Sequence, residues 1–245
     1  MGDEPQVLLV NRRALLGGAA ASLALAGCRD RAPAPVDPRA YHAFFLWPGV
    51  TPPDWLDSAR EVYLLAGEVR DQPGSPFHPL RATPHGSGPG LWLVVRVERL
   101  DWSEAIHREV LHTLALWETA GNRILGLQID FDSATRGLAS YARFLADLRH
   151  RLPRRWKLSI TGLMDWSAGG DPAALRQLAG CVDDIVVQTY QGRHTIPGYE
   201  RYLASLGRLD MPYRVGLVEG GSWRAPEGLE ADPRFGGYVV FLLPR

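Results

Sequence analysis

The sequence predicts an α/β protein built as a short (β/α)8 barrel of the TIM-barrel type. Eight short runs rich in Val, Ile, Leu and aromatic residues recur between residues 41 and 242. Helical or loop stretches separate them, which is the alternation of parallel β/α units. Several runs are apolar on both faces, as strands covered on both sides are. An open doubly wound sheet is the competing architecture, but no glycine-rich phosphate turn follows the first run to support it.

The elements follow in chain order. Residues 1–27 have the zones of a secretory signal: a short start ending in Arg12 and Arg13, then an apolar stretch from Ala14 to Ala26. That stretch is shorter than the roughly 20 residues a membrane-spanning helix needs, so it is expected to be cleaved. Leu25-Ala26-Gly27-Cys28 resembles the lipobox of bacterial lipoproteins, which implies lipidation of Cys28 and attachment to a bacterial membrane, facing the periplasm or the exterior. Asn11 to Leu16 is also similar to a twin-arginine export motif, and ordinary secretory signals carry arginines too. Residues 28–39 alternate Pro, Ala and charge and are expected to form a flexible tether, with the folded domain at 40–245. Cys181, the other cysteine, has an apolar setting and reads as a buried hydrophobe. Removing the signal leaves 25 basic against 25 acidic residues, a balance that argues against nucleic acid as a partner.

The expected strands are Tyr41 to Trp47, Glu61 to Gly67, Leu91 to Val97, Ile124 to Asp130, Lys157 to Leu163, Ile185 to Tyr190, Tyr213 to Val218 and Tyr238 to Leu242. Helices are expected from Asp101 to Thr119 and from Leu138 to Arg151, with Asp101 opening the first and Pro153 stopping the second. Shorter ones fit Pro172 to Ala179, capped by Asp171, and Gly198 to Leu206. Asp71 to Gly90 and Glu219 to Gly237 are broken by Pro and Gly, and nothing follows the last strand. Helices are therefore expected to be irregular or missing after strands two, seven and eight.

In such a barrel the chemistry lies where the strands end, and side chains alternate inward and outward with period two. On the fourth strand Gln128, Asp130 and Asp132 share one parity, against Leu127, Ile129 and Phe131. Carboxylates two residues apart lie about 7 Å from each other along a strand. Their repulsion would raise one pKa and supply a proton donor beside an ionised partner. Capping of the following helix is the competing role. The fifth strand adds Ser159, Thr161 and Asp165, with Trp166 as a surface for stacking a sugar face. Gln188 and Tyr190 share a parity at the end of the sixth and are suited to holding hydroxyl groups. Arg96 on the third strand is placed either to face the aspartates or to make a buried ion pair, and Trp47, Glu68, His194 and Glu219 lie near other strand ends.

The run Gly126 to Asp132, the Tyr141 to Leu152 helix, and the strands Leu158 to Thr161 and Val187 to Tyr190 together resemble a bacterial family, domain-of-unknown-function family 3142. That resemblance covers most of residues 41–242 and implies a glycosidase-like TIM barrel engaged with carbohydrate. The fourth-strand motif is also similar to the Asp-x-Asp-x-Glu signature of chitinase-like glycosidases, with Asp130 and Asp132 matching its aspartates. Ala134 stands where the signature has its catalytic Glu, so that mechanism does not transfer.

Two functions are therefore expected as alternatives. The first is a glycoside hydrolase with Asp132 as general acid, Asp130 or Asp165 as second carboxylate, Gln128, Gln188, Tyr190 and Arg96 positioning substrate, and Trp47 or Trp166 stacking on it. The second is a non-catalytic glycan-binding lipoprotein on a degenerate barrel. No His-x-His or His-Glu-x-x-His spacing accompanies the aspartates, so no transition metal or other cofactor is expected, and a hard cation held by the aspartate oxygens is a third alternative that no further motif supports.

Overall fold

In a computed structural model the chain closes eight parallel strands into a barrel. The structure describes residues 32–72, 74–86, 88–131, 137–164, 166, 171–206 and 210–244. From Pro33 on they form one compact unit. The strands are β1 (Ala43–Leu46), β2 (Glu61–Val69), β3 (Gly90–Val97), β4 (Ile124–Asp130), β5 (Lys157–Leu163), β6 (Asp184–Gln188), β7 (Tyr213–Val218) and β8 (Phe235–Phe241). Each pairs in parallel with the next, and β8 returns to β1 through Val240 opposite Phe44.

Among the described residues four α-helices join the middle strands: α1 (Glu104–Thr119), α2 (Leu138–Arg151), α3 (Pro172–Ala179) and α4 (Tyr199–Leu203). Asp171 caps α3, its carboxylate accepting from the Ala173 amide at 3.1 Å, with Pro172 in the first turn. The start of α1 differs from expectation. Ser103 is the cap, accepting from the Ile106 amide, while Asp101 pairs with Arg99 at 2.8 Å. A side-chain oxygen immediately before the helix reaches its free amides, and one two residues earlier does not. Among the described residues no α-helix follows β2, β7 or β8, as the Pro and Gly content predicts; β7 and β1 are followed only by short 3-10 turns, Leu229–Ala231 and Asp54–Ser58.

Two apolar layers result from the alternation. Leu127, Ile129, Leu158 and Ile160 point outward and pack with Tyr141, Leu145 and Leu148 of α2. Inside the barrel, Trp92, Tyr63, Phe45 and Phe241 stack in sequence at 5.3, 6.2 and 4.7 Å between ring centroids. That column fills the interior, so a ligand can sit only at the ends. Gly126 is required where β4 meets β5, because a Cβ there would run into the Lys157 carbonyl.

The segment before β1 is not a free tether along its whole length. Ala34–Pro35 pairs antiparallel with Ser222–Trp223, the Val36 amide donates to the Gly221 carbonyl at 2.9 Å, and Val36 is buried. Tyr41 meets the Tyr238 ring of β8 edge-on at 5.5 Å. The docked chain thus begins at Ala34 rather than near residue 40. Within this segment Val36 and Pro38 are the buried residues, and their burial is what docks it. A chain that begins at His42 is expected to lose about 2–3 kcal/mol of stability, roughly the burial of Val36 and part of Tyr41; urea unfolding with an unchanged midpoint would contradict this.

Cys181 is buried beside α3, and burial pushes its thiol up to about 11, as its apolar setting predicts.

Candidate functional site

The C-terminal ends of the strands gather a carboxylate, two polar side chains and an indole around one narrow floor. Asp130 closes β4, and the Thr161 hydroxyl of β5 donates to its Oδ1 at 2.8 Å. The parity that puts Leu127 and Ile129 in the outer layer turns Asp130 inward. Gln188 at the end of β6 and Tyr190 just beyond it line the same floor, with Trp47 after β1 and the rings of Phe45 and Phe241 beneath. The space enclosed there is about 20 Å³, room for about one water, so a larger ligand must lie above Asp130.

The charges and rings of this floor hold one another. Tyr190 tilts on Phe241 at 5.2 Å, and Trp47 meets Phe241 edge-on at 5.4 Å. The Arg96 guanidinium lies 5.4 Å from the Trp47 ring centroid, a cation–π contact, on a strand position paired with Asp130 in the β3–β4 register. Arg96 makes no ion pair among the described residues, so its structural partner is the ring rather than an acid. The Gln188 amide has no hydrogen-bond partner among the described residues, which leaves it available to a ligand. A flat indole, an amide and a phenol around a carboxylate match the alternating apolar faces and hydroxyl edges of a sugar.

Asp130, Gln188, Tyr190, Trp47 and Arg96 are therefore brought together. Two other expected substrate contacts are not. Gln128 is fully buried, donating through Nε2 to the Ser159 hydroxyl at 3.2 Å, and supports the floor from below. Trp166 is 1% exposed and packs edge-on against Tyr141 of α2 at 6.1 Å. Its ring belongs to the outer layer and offers no face to a ligand. Asp132, Ala134 and Asp165 lie outside the described residues, as do the signal segment and Cys28. Glu68 is engaged by Arg70 at 2.6 Å, Glu219 accepts from the Leu243 amide, and His194 is exposed on a short hairpin after β6.

The sequence names Thr161 only for its place on the fifth strand and does not name Arg81, which lies outside the lining of the floor. Thr161 carried the right parity. Arg81 donates through Nη2 to the Leu46 carbonyl at the end of β1, and burial lowers its pKa. It lies in a Pro- and Gly-rich stretch with no periodicity, where no signal points to it.

The model of a domain of unknown function, DUF3142, matches residues 91–199, from β3 to the start of α4. That stretch contains Arg96, Asp130, Thr161, Gln188 and Tyr190. No curated protein matches the chain in sequence. Among solved structures, the xylanase-alpha-amylase inhibitor protein XAIP-I in complex with trehalose is 11% identical, with a TM-score of 0.50 over 82% of this chain and 92% of that one. The Bacillus cereus spore cortex-lytic enzyme SleL is 18% identical, with a TM-score of 0.49 over 73% of this chain. This chain spans 50% of the length of SleL. The chitinase domain of the Clostridium difficile spore coat protein CotE is 13% identical, with a TM-score of 0.48, over 78% of this chain and 67% of that one. At these identities the likeness is one of fold, the TIM barrel.

Proposed function

We propose that the protein is a carbohydrate-active barrel of the cell envelope, a glycoside hydrolase working through paired carboxylates. The observation that carries this reading is Asp130, fixed by Thr161 at the C-terminal end of β4 and surrounded by Trp47, Gln188 and Tyr190. A glycosidase needs one carboxylic acid to protonate the leaving oxygen and a second carboxylate as nucleophile or base. In this reading Asp132 is the general acid, two residues further along the chain from Asp130, and Asp130 or Asp165 is its partner. Gln188 and Tyr190 hold hydroxyl groups, Trp47 stacks on the sugar, and Arg96 fixes the Trp47 ring. In this reading the signal segment exports the chain and a lipid on Cys28 anchors it where envelope or extracellular glycans occur.

A second reading is favoured by two observations. Ala134 stands at the position of the chitinase-like catalytic Glu, and the barrel likeness with a TM-score of 0.50 is to an inhibitor protein in complex with trehalose. In that reading the mouth binds glycan without cleaving it. A glycan array and a hydrolysis screen on the purified protein separate the two. Products that disappear in Asp132→Asn support the enzyme; binding without products, preserved in Asp132→Asn, supports the binder; neither binding nor products would remove both. Under either reading Trp47→Ala is expected to weaken glycan binding about tenfold, the scale of one aromatic contact. Unchanged affinity by titration calorimetry would take Trp47 out of the site.

A further inference from the structure

The opposite end of the barrel, where the strands begin, carries a charged hollow that the proposed function does not use. By strand parity the side chains facing inward there are Glu61 on β2, Lys157 on β5, Asp184 on β6 and Arg214 on β7, with Gly90 on β3 and Gly126 on β4. An open space of about 360 Å³ lies against the Trp92 ring at this end, lined also by Arg60, Glu61, Arg123, Lys157 and Arg214, and is within the range of small-ligand sites.

The two acids in this space share one guanidinium, so their trio has a net charge of one negative against the three cations at the opening. Arg214 crosses the barrel to Glu61 at 3.0 Å and reaches Asp184 at 3.1 Å. Glu61 also accepts from the Trp92 indole at 2.8 Å. Three further cations line the opening, Arg60 ahead of β2, Arg123 ahead of β4 and Lys157 on β5, and none has an ion-pair partner among the described residues. Arg123 donates through Nη2 to the Arg60 carbonyl at 3.2 Å, which holds its guanidinium over the space above Gly90. Like charges converging on a hollow repel one another unless an anion joins them. The chain as a whole is neutral, so this excess is local.

We propose that this hollow is a binding site for a compact phosphate-bearing ligand, held by Arg60, Arg123 and Lys157 above the Arg214–Glu61–Asp184 floor. Guanidinium groups match phosphate oxygens in bidentate fashion, and the ammonium adds a point charge. The small opening suits a single phosphate or pyrophosphate group rather than a nucleic-acid backbone. A soluble phosphate ester and a phospholipid headgroup share that chemistry.

The test is titration calorimetry and thermal unfolding with inorganic pyrophosphate at constant ionic strength. Three proteins are compared: wild type, Arg60→Gln/Arg123→Gln/Lys157→Gln, and a control with the same charge change on the helices, Arg108→Gln/Arg143→Gln/Arg176→Gln. Wild type and control are expected to bind alike and the site variant at least tenfold more weakly. Because all six residues are exposed, ligand-free melting temperatures should agree; if the triple variant melts early, single Arg123→Gln, expected to weaken binding severalfold, carries the comparison. No binding by wild type, or equal binding by the site variant, overturns the proposal. The source of the phosphate is read with Cys28→Ser protein and vesicles of phosphatidylglycerol or phosphatidylcholine. Binding to phosphatidylglycerol that pyrophosphate competes away supports a headgroup site, and pyrophosphate binding without vesicle binding supports a soluble ester.

Discussion

Turnover of a susceptible glycan is expected to fall about a thousandfold in both Asp132→Asn and Asp130→Asn, and the two losses should differ in kind. Acid–base catalysis by a placed side chain contributes roughly 10²–10⁴-fold. A general acid is needed in proportion to the basicity of the leaving group. Asp132→Asn should therefore recover much of its rate on an aryl glycoside whose phenolate leaves without help. Asp130→Asn should recover nothing on the same substrate, because a nucleophile or base is required whatever the leaving group. Both variants should fold. At position 130 the substituted side chain keeps a carbonyl oxygen to accept from Thr161, so the 2.8 Å contact survives with its charge removed. Wild-type turnover in both variants would end the carboxylate assignment, and rescue of Asp130→Asn but not Asp132→Asn would exchange their roles.

The sequence carried the barrel well because its main signals are local. The bounds of β4, β5, β7, α2 and α3 agree with the expected ones, the strands set by their apolar runs, α3 by its Asp171 cap and α2 by the Pro153 stop. What it carried less well depends on three-dimensional neighbours. Parity gives the side a residue faces but not its depth: Gln128 and Asp130 share a face, yet Gln128 is sealed beneath the floor that Asp130 tops. Parity also holds only inside a strand. β5 ends at Leu163, so Trp166 is free of its alternation and turns outward against Tyr141. The docked segment Ala34 to Tyr41 is hidden in the sequence because its Pro and Ala content reads as linker, whereas its partners, Ser222–Trp223 and Tyr238, come close only in the closed barrel. Nothing local marks Glu61, Asp184 and Arg214 as a polar base, because only closure shows that β7 faces β2 across the interior.

That base predicts the largest stability effect. Arg214→Met is expected to cost about 3–5 kcal/mol at neutral pH, because it leaves Glu61 and Asp184 without their common counter-charge. The alternative, that the trio is merely solvated, conflicts with its burial. Burial is the main cause raising the Asp184 pKa, against which Arg214 and the Ser159 hydroxyl pull it down, and the second oxygen of Asp184 has no hydrogen-bond partner. The sign of the pH dependence follows. A carboxyl whose folded pKa is raised favours folding when protonated; that contribution is complete below the unfolded value of about 3.9 and is lost as pH rises through the folded one. Removing Arg214 takes away an opposing influence, so the folded pKa rises further. The deficit of Arg214→Met should then be greatest at neutral pH and shrink as the solution is acidified through the carboxylate range. Arg214→Lys should fall between, since an ammonium cannot span Glu61 and Asp184 at once. Urea unfolding of the three proteins at neutral and mildly acidic pH measures this, and a deficit independent of pH would show that lost packing of the Arg214 stem, rather than unpaired charge, is what the substitution removes.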